Sequence, residues 1–127
     1  MIENKITTIF YRSNLNSLEK KDQDLINSAI KSLNLAYAPY SGFSVGASIL
    51  LENGEIISGN NQENVAYPSG LCAERVAIFY AGSKYPDVKV KTIAVSAVSK
   101  KFEIEDVVSP CGACRQAIAE YEVKLVK

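Results

Sequence analysis

The sequence predicts an α/β domain, a three-layer α/β/α sandwich around a mixed β-sheet, and three observations carry that prediction. Apolar residues recur at helical spacing ahead of Pro39, two β-prone stretches flank Asn53-Gly54, and an apolar run from Thr92 to Val98 separates two further helical segments. The 127 residues suit one domain. With 47% hydrophobic and 22% charged residues, the chain is neither disordered nor collagenous nor a disulfide-dense miniprotein. Fourteen basic residues balance fourteen acidic ones, so a general nucleic-acid or membrane-surface binder is not expected.

Residues 1–16 read as an N-terminal extension and 17–127 as the domain itself. Within the extension, Ile6 to Tyr11 is β-branched and aromatic and is expected to form a short strand, as an appendage or an oligomer contact. Leu18, Leu25, Ile26, Ala29, Ile30 and Leu33 then mark an amphipathic helix from about Ser17 to Tyr37, which Pro39 cannot continue. Val45 to Leu51 and Glu55 to Ser58 should pair as a hairpin, with Asn53-Gly54 supplying positive backbone dihedrals for a tight turn. Leu71 to Ala81 is apolar nearly all round, the pattern of a buried helix, with Gly82 suited to cap it. Thr92 to Val98 reads as a strand covered on both faces. Ser109-Pro110 offers a capping hydroxyl and a first-turn proline for a last helix reaching about Tyr121.

The chemistry-bearing residues are Cys72, Cys111 and Cys114, each within a turn of an expected helix start, where backbone amides stabilise a thiolate. Cys111 and Cys114, three apart, share a helix face and can grip one ion, for which Zn2+ is the natural candidate. Because the chain holds three cysteines and no histidine, it cannot by itself close a site of four sulfur or nitrogen ligands. The fourth position is then open to water, the mark of a catalytic zinc, unless a carboxylate or a neighbouring chain fills it. Three thiolates on a divalent ion leave net negative charge, and Arg75 is placed to hydrogen-bond a cysteine sulfur and offset it. Judged alone, Arg75 reads more readily as a surface helix residue, and Arg115 shares that ambiguity. Glu74, a carboxylate in an otherwise apolar helix, is costly without a task, and its offset from Cys72 puts it beside a metal rather than on it. It is the proposed proton shuttle.

Cys72-Ala73-Glu74 followed by Pro110-Cys111-Gly112-Ala113-Cys114 resembles the signature of the zinc-dependent cytidine deaminases, in their short, three-cysteine, homotetrameric branch. The resemblance runs from about Leu33 to Tyr121. It includes Tyr40-Ser41-Gly42-Phe43-Ser44-Val45-Gly46-Ala47, Asn60-Asn61-Gln62-Glu63-Asn64 and Gly70-Leu71-Cys72-Ala73-Glu74-Arg75. It implies a cytidine deaminase-like fold with Cys72, Cys111 and Cys114 as zinc ligands and Glu74 as the catalytic residue. It further implies that Asn61 and Glu63 bind ribose hydroxyls, Phe43 lines the pyrimidine pocket and the Ala73 backbone contacts the base. An amide and a carboxylate one residue apart on an extended segment point to one side, as such a clasp requires. Read alone, residues 60–64 are a polar loop and Phe43 a core aromatic.

The implied activity is hydrolytic deamination of cytidine or deoxycytidine in pyrimidine salvage, by a zinc-bound hydroxide and a glutamate shuttle, with no organic cofactor. A small nucleoside is the expected partner, with no nucleic acid or membrane, in a cytoplasmic homotetramer. The free thiols and the lack of a signal-peptide core suit a reducing compartment. The sequence ends at Val123-Lys124-Leu125-Val126-Lys127, whereas the resembled family continues with further strand and a C-terminal segment, so a C-terminally short form with a weakened tetramer is expected. The alternatives are deamination of an RNA base or a nucleoside antibiotic, a non-catalytic zinc-stabilised interaction domain, and a thiol–disulfide enzyme using Cys111 and Cys114. The last leaves Cys72 and Glu74 without a role.

Overall fold

Alternation along one strand sets the layers. In the computed structural model, which describes residues 1–124, β1 spans Phe43–Leu51 and pairs antiparallel with β2, Ile56–Asn60, and with β3, Val90–Ser99. On one face Val45, Ala47, Ile49 and Leu51 pack with Ala73, Ala77, Ile78 and Ala81 of helix α2, Ala73–Lys84. On the other, Leu50 and Ala94 pack with Leu25, Ile26 and Ala29 of helix α1, Lys20–Leu33. Two glycines let the helices approach: a Cβ on Gly46 would lie 2.0 Å from the Ala29 carbonyl oxygen, and one on Gly59 2.6 Å from the Ala77 amide nitrogen. Helix α3, Gly112–Lys124, packs beside α2 and completes the α/β/α layering.

The strand order is β2-β1-β3. Both ladders are antiparallel, so β2 and β3 run in the same direction on either side of β1, with α2 crossing between them. Among the described residues the one parallel pairing is the bridge of Tyr37 with Gln62, just beyond β2.

Several local expectations are corrected. The first helix begins three residues later and ends four earlier than its periodicity suggests, after a 3₁₀ turn over Leu15–Ser17. In the hairpin turn only Gly54 has positive φ, at +87°, and the Gly54 amide donates to the Leu51 carbonyl at 3.0 Å. This is a three-residue loop closed by a left-handed glycine rather than a two-residue Asn-Gly turn. Gly82 lies inside α2, not at its end, where a Cβ would come 2.4 Å from the Tyr121 ring, so its smallness serves helix–helix contact.

The strand over Thr92 to Val98 is an edge strand among the described residues, with only Ala94 fully buried, because it has a ladder on one side alone. Helix α3 opens at Gly112, so Ser109 and Pro110 precede its cap. Ile6 to Tyr11 forms no strand; the segment is exposed throughout, and Arg12 reaches Asp106 at 3.2 Å. Without a ladder partner, β propensity alone does not make a strand. The final residues of the expected C-terminal stop, 125–127, lie outside the described residues.

Candidate metal centre and cleft

The start of α2 and the start of α3 face one another, and each brings thiols to the meeting point. Cys72 is the N-cap of α2, with extended backbone (φ −70°, ψ 154°). Cys111 immediately precedes α3, its carbonyl accepting the Arg115 amide at 2.9 Å, and Cys114 lies in the first turn. Their sulfurs all lie within 4.8 Å of one another, with Cys72 to Cys111 at 3.9 Å and Cys111 to Cys114 at 3.5 Å. Zinc–sulfur bonds of ~2.3 Å at tetrahedral angles set sulfurs ~3.8 Å apart, so the trio fits that ion. All three are free thiols, and no histidine or carboxylate joins them in one cluster among the described residues.

Burial is graded across the trio, from exposed Cys111 through half-buried Cys72 to fully buried Cys114. The Cys114 amide, donating to the Cys111 sulfur, holds the Cys111 thiol below its ordinary value. Burial pushes the Cys114 thiol strongly up, and the adjacent Cys111 and the Glu74 charge push the same way. A cation among the sulfurs removes the penalty of placing negative charge there.

Arg75 Nη2 donates to the Cys72 sulfur at 3.7 Å, and proximity to Cys72 and Cys114 holds the guanidinium above its ordinary value. Its Nε is buried without a hydrogen-bond partner. Arg115 turns elsewhere, its Nε donating to the Pro110 carbonyl at 2.9 Å. Glu74, the second residue of α2, is only 7% exposed and lines the same cleft as Cys72 and Cys111. It is close enough to Cys114 to act on its charge, yet stands outside the thiol cluster.

The cleft has a volume of about 970 Å³ and extends from the thiols along the end of β2 to a turn over residues 38–43. Asn61 and Glu63 both line it, as alternation on an extended segment requires. Asn61 Oδ1 accepts the Val45 amide at 2.7 Å and its Nδ2 donates to the Phe43 carbonyl at 2.9 Å, locking the segment to β1. Glu63 accepts the Tyr40 amide at 2.8 Å, the Ser41 amide at 3.3 Å and the Ser41 hydroxyl. The hydroxyl is the main reason its carboxyl sits below the usual range. Phe43 lines the wall and stacks on Phe102, with centroids 6.1 Å apart. Ala73, at the first position of α2, is fully buried in the core and does not line the cleft.

Sequence reasoning gave no role to Tyr40, Ser41 or Lys101, which together surround the Glu63 end. The available signal was Gly42, which sits at φ +68° in the turn that holds Tyr40 and Ser41.

Fold and site together define a layered α/β domain with a three-thiol cluster suited to a metal ion at one end of a cleft. Comparison with known proteins specifies the family. The cytidine and deoxycytidylate deaminase zinc-binding region matches residues 19–127. The cytidine deaminase of Halalkalibacterium halodurans is 43% identical over 98 residues, which cover 77% of this chain and 70% of that protein. The cytidine deaminase of Sporosarcina psychrophila is 48% identical over 99 residues, 78% of this chain and 68% of that one. Among solved structures, cytidine deaminase from Burkholderia pseudomallei superposes with a TM-score of 0.69 at 38% identity, over 77% of this chain and 74% of that one. The Mycobacterium tuberculosis enzyme gives 0.69 at 32% identity, over 81% and 79%. The chain belongs to the cytidine and deoxycytidylate deaminase family, whose members are zinc-dependent hydrolases.

Proposed function

We propose that this chain converts cytidine or deoxycytidine and water into uridine or deoxyuridine and ammonia. The observation that carries this reading is the meeting of three thiols and one buried carboxylate, Glu74, at one end of a single cleft. Cys72, Cys111 and Cys114 are the residues to hold zinc, and Arg75 offsets their negative charge. Bound there, zinc supplies the Lewis acidity that makes water a nucleophile at neutral pH.

Glu74 does the proton work. Its carboxylate takes a proton as water adds to C4 of the pyrimidine, gives that proton to N3, and then relays one to the departing amine. C4 keeps the oxygen and ammonia leaves. Asn61 and Glu63 face the sugar hydroxyls and Phe43 the base. Apart from Arg75, which donates to the Cys72 sulfur, the charged groups that line the cleft are the acidic Glu63 and Glu74, which favours a neutral nucleoside over a polyanion.

We further propose a homotetramer in the cytoplasm, with residues 1–16 as an extension outside the catalytic domain. Exposed Phe79 and Tyr80 on α2 leave apolar surface for self-association, and three free thiols suit a reducing compartment. No helix among the described residues is long and apolar enough to cross a membrane. Light scattering of the purified chain tests the assembly.

The decisive experiment measures zinc content and ammonia release from cytidine for the chain and for Glu74→Gln. The expected result is equimolar zinc in both, with turnover lowered roughly 10³-fold in the variant. Loss of zinc from Glu74→Gln makes Glu74 a ligand and the domain a closed structural site. Preference for an RNA hairpin over cytidine overturns the nucleoside reading.

A further inference from the structure

The turn over residues 38–43 is held from two sides. From the cleft, Glu63 gathers the Tyr40 and Ser41 amides and the Ser41 hydroxyl. From outside, residues 100–102 strap it down. The Lys100 amide donates to the Gly42 carbonyl at 2.9 Å, Lys101 Nζ donates to the Tyr40 carbonyl at 3.1 Å, and Phe102 stacks on Phe43. A Cβ on Gly42 would stand 3.5 Å from Lys101 Cε and 3.6 Å from Lys100 Cβ, so the lysine stems lie against the turn. Tyr40 therefore has its amide on an anion and its carbonyl on a cation, and the ammonium also stabilises the ionised Glu63 carboxylate.

A carboxylate offers about four acceptor directions, and the turn occupies three of those on Glu63. What remains for a ligand is a single direction, fixed by how the turn sits. Exposed ion pairs contribute little energy of their own, so the value of this lysine lies in geometry.

We propose that Lys101 is a positioning residue for the sugar-hydroxyl end of the cleft, acting through the Tyr40 carbonyl on the turn that aims Glu63. The inference rests on the reading that Glu63 meets sugar hydroxyls, and it extends the site to a residue 38 positions along the chain from Glu63, on a different segment.

The test compares cytidine with 2′,3′-dideoxycytidine, which lacks both hydroxyls, as substrates of the zinc-loaded chain, Lys101→Met and Lys101→Arg. The expected wild-type result is a clear preference for cytidine. In Lys101→Met the cytidine KM rises about tenfold with kcat nearly unchanged, the dideoxy substrate is unaffected, and the preference collapses; Lys101→Arg, which keeps a charged donor, restores most of it. A wild-type preference that survives Lys101→Met, including an equal loss on both substrates, overturns the positioning role. Absence of any wild-type preference instead overturns the Glu63 reading beneath it. Thermal unfolding checks that the variants are folded, and Lys101→Gln carries the same comparison if the methionine variant unfolds.

Discussion

At one end of the cleft, three thiols from two helix starts crowd together with a buried carboxylate beside them and one guanidinium against them. At the other, Glu63 and Asn61 are bonded to backbone on nearly every side, and their partners come from a short turn and the neighbouring strand. The first end gathers ligands that suit a cation; the second is satisfied by the chain itself. Chemistry is concentrated where the fold gathers metal-ligating and titratable groups, and recognition where it presents a pre-set geometry.

The largest break comes from the thiol end. Cys111 is exposed, so Cys111→Ser removes one sulfur with little loss of packing. Zinc content falls far below equimolar and ammonia release drops to background, as metal analysis alongside a deaminase assay would reveal. Next is Gly59→Ala, which brings a Cβ within 2.6 Å of the α2 backbone. It pushes the helix bearing Cys72 and Glu74 off the sheet, costs about 2 kcal/mol in urea unfolding, and weakens zinc retention.

Asn61→Ala acts at the satisfied end. It strands the Val45 amide and the Phe43 carbonyl, costs about 1–2 kcal/mol of stability, and raises the cytidine KM severalfold while zinc content stays full. Equal damage to zinc content in this variant would erase the distinction between the two ends.

The smallest effect is a pH dependence. Because Glu63 is held below its ordinary carboxylate value of 4.5, its stabilisation of the turn is fully present above that value and is lost as pH falls through the lowered folded one. Ser41→Ala removes the main cause, so NMR titration of the Glu63 carboxyl carbon should find it returning toward the ordinary value.

Much of this was legible in the sequence. Leu25, Ala29 and Leu33 are buried on α1 as their spacing requires, although Ile30, on the same expected stripe, is 39% exposed. Glu74 announced itself because a carboxylate beside the apolar run Val76 to Ala81 is costly to bury, although Phe79 and Tyr80 of that run are exposed and α2 is buried on one face rather than all round. The hairpin was readable, but its loop type was not, since Asn-Gly serves both two- and three-residue loops.

Gly82 was misread for a similar reason. A glycine near a helix end suits a cap, and only the arrival of Tyr121 from α3 shows that it makes room for a neighbour. The ties of Lys101 to Tyr40 lie 61 residues apart and left no pattern at all.

The sequence by itself determined the donors and their number: three sulfurs, no imidazole, one misplaced carboxylate, and the periodicities that make helices and strands. Tertiary structure alone decided that Cys72 would meet Cys111 across 39 residues, and that a lysine would support the far end of the cleft. Hydropathy period is a local property, encoded within a few turns of chain. Convergence depends on α2 crossing the sheet and on strand register, which arise only when both faces of β1 are buried together.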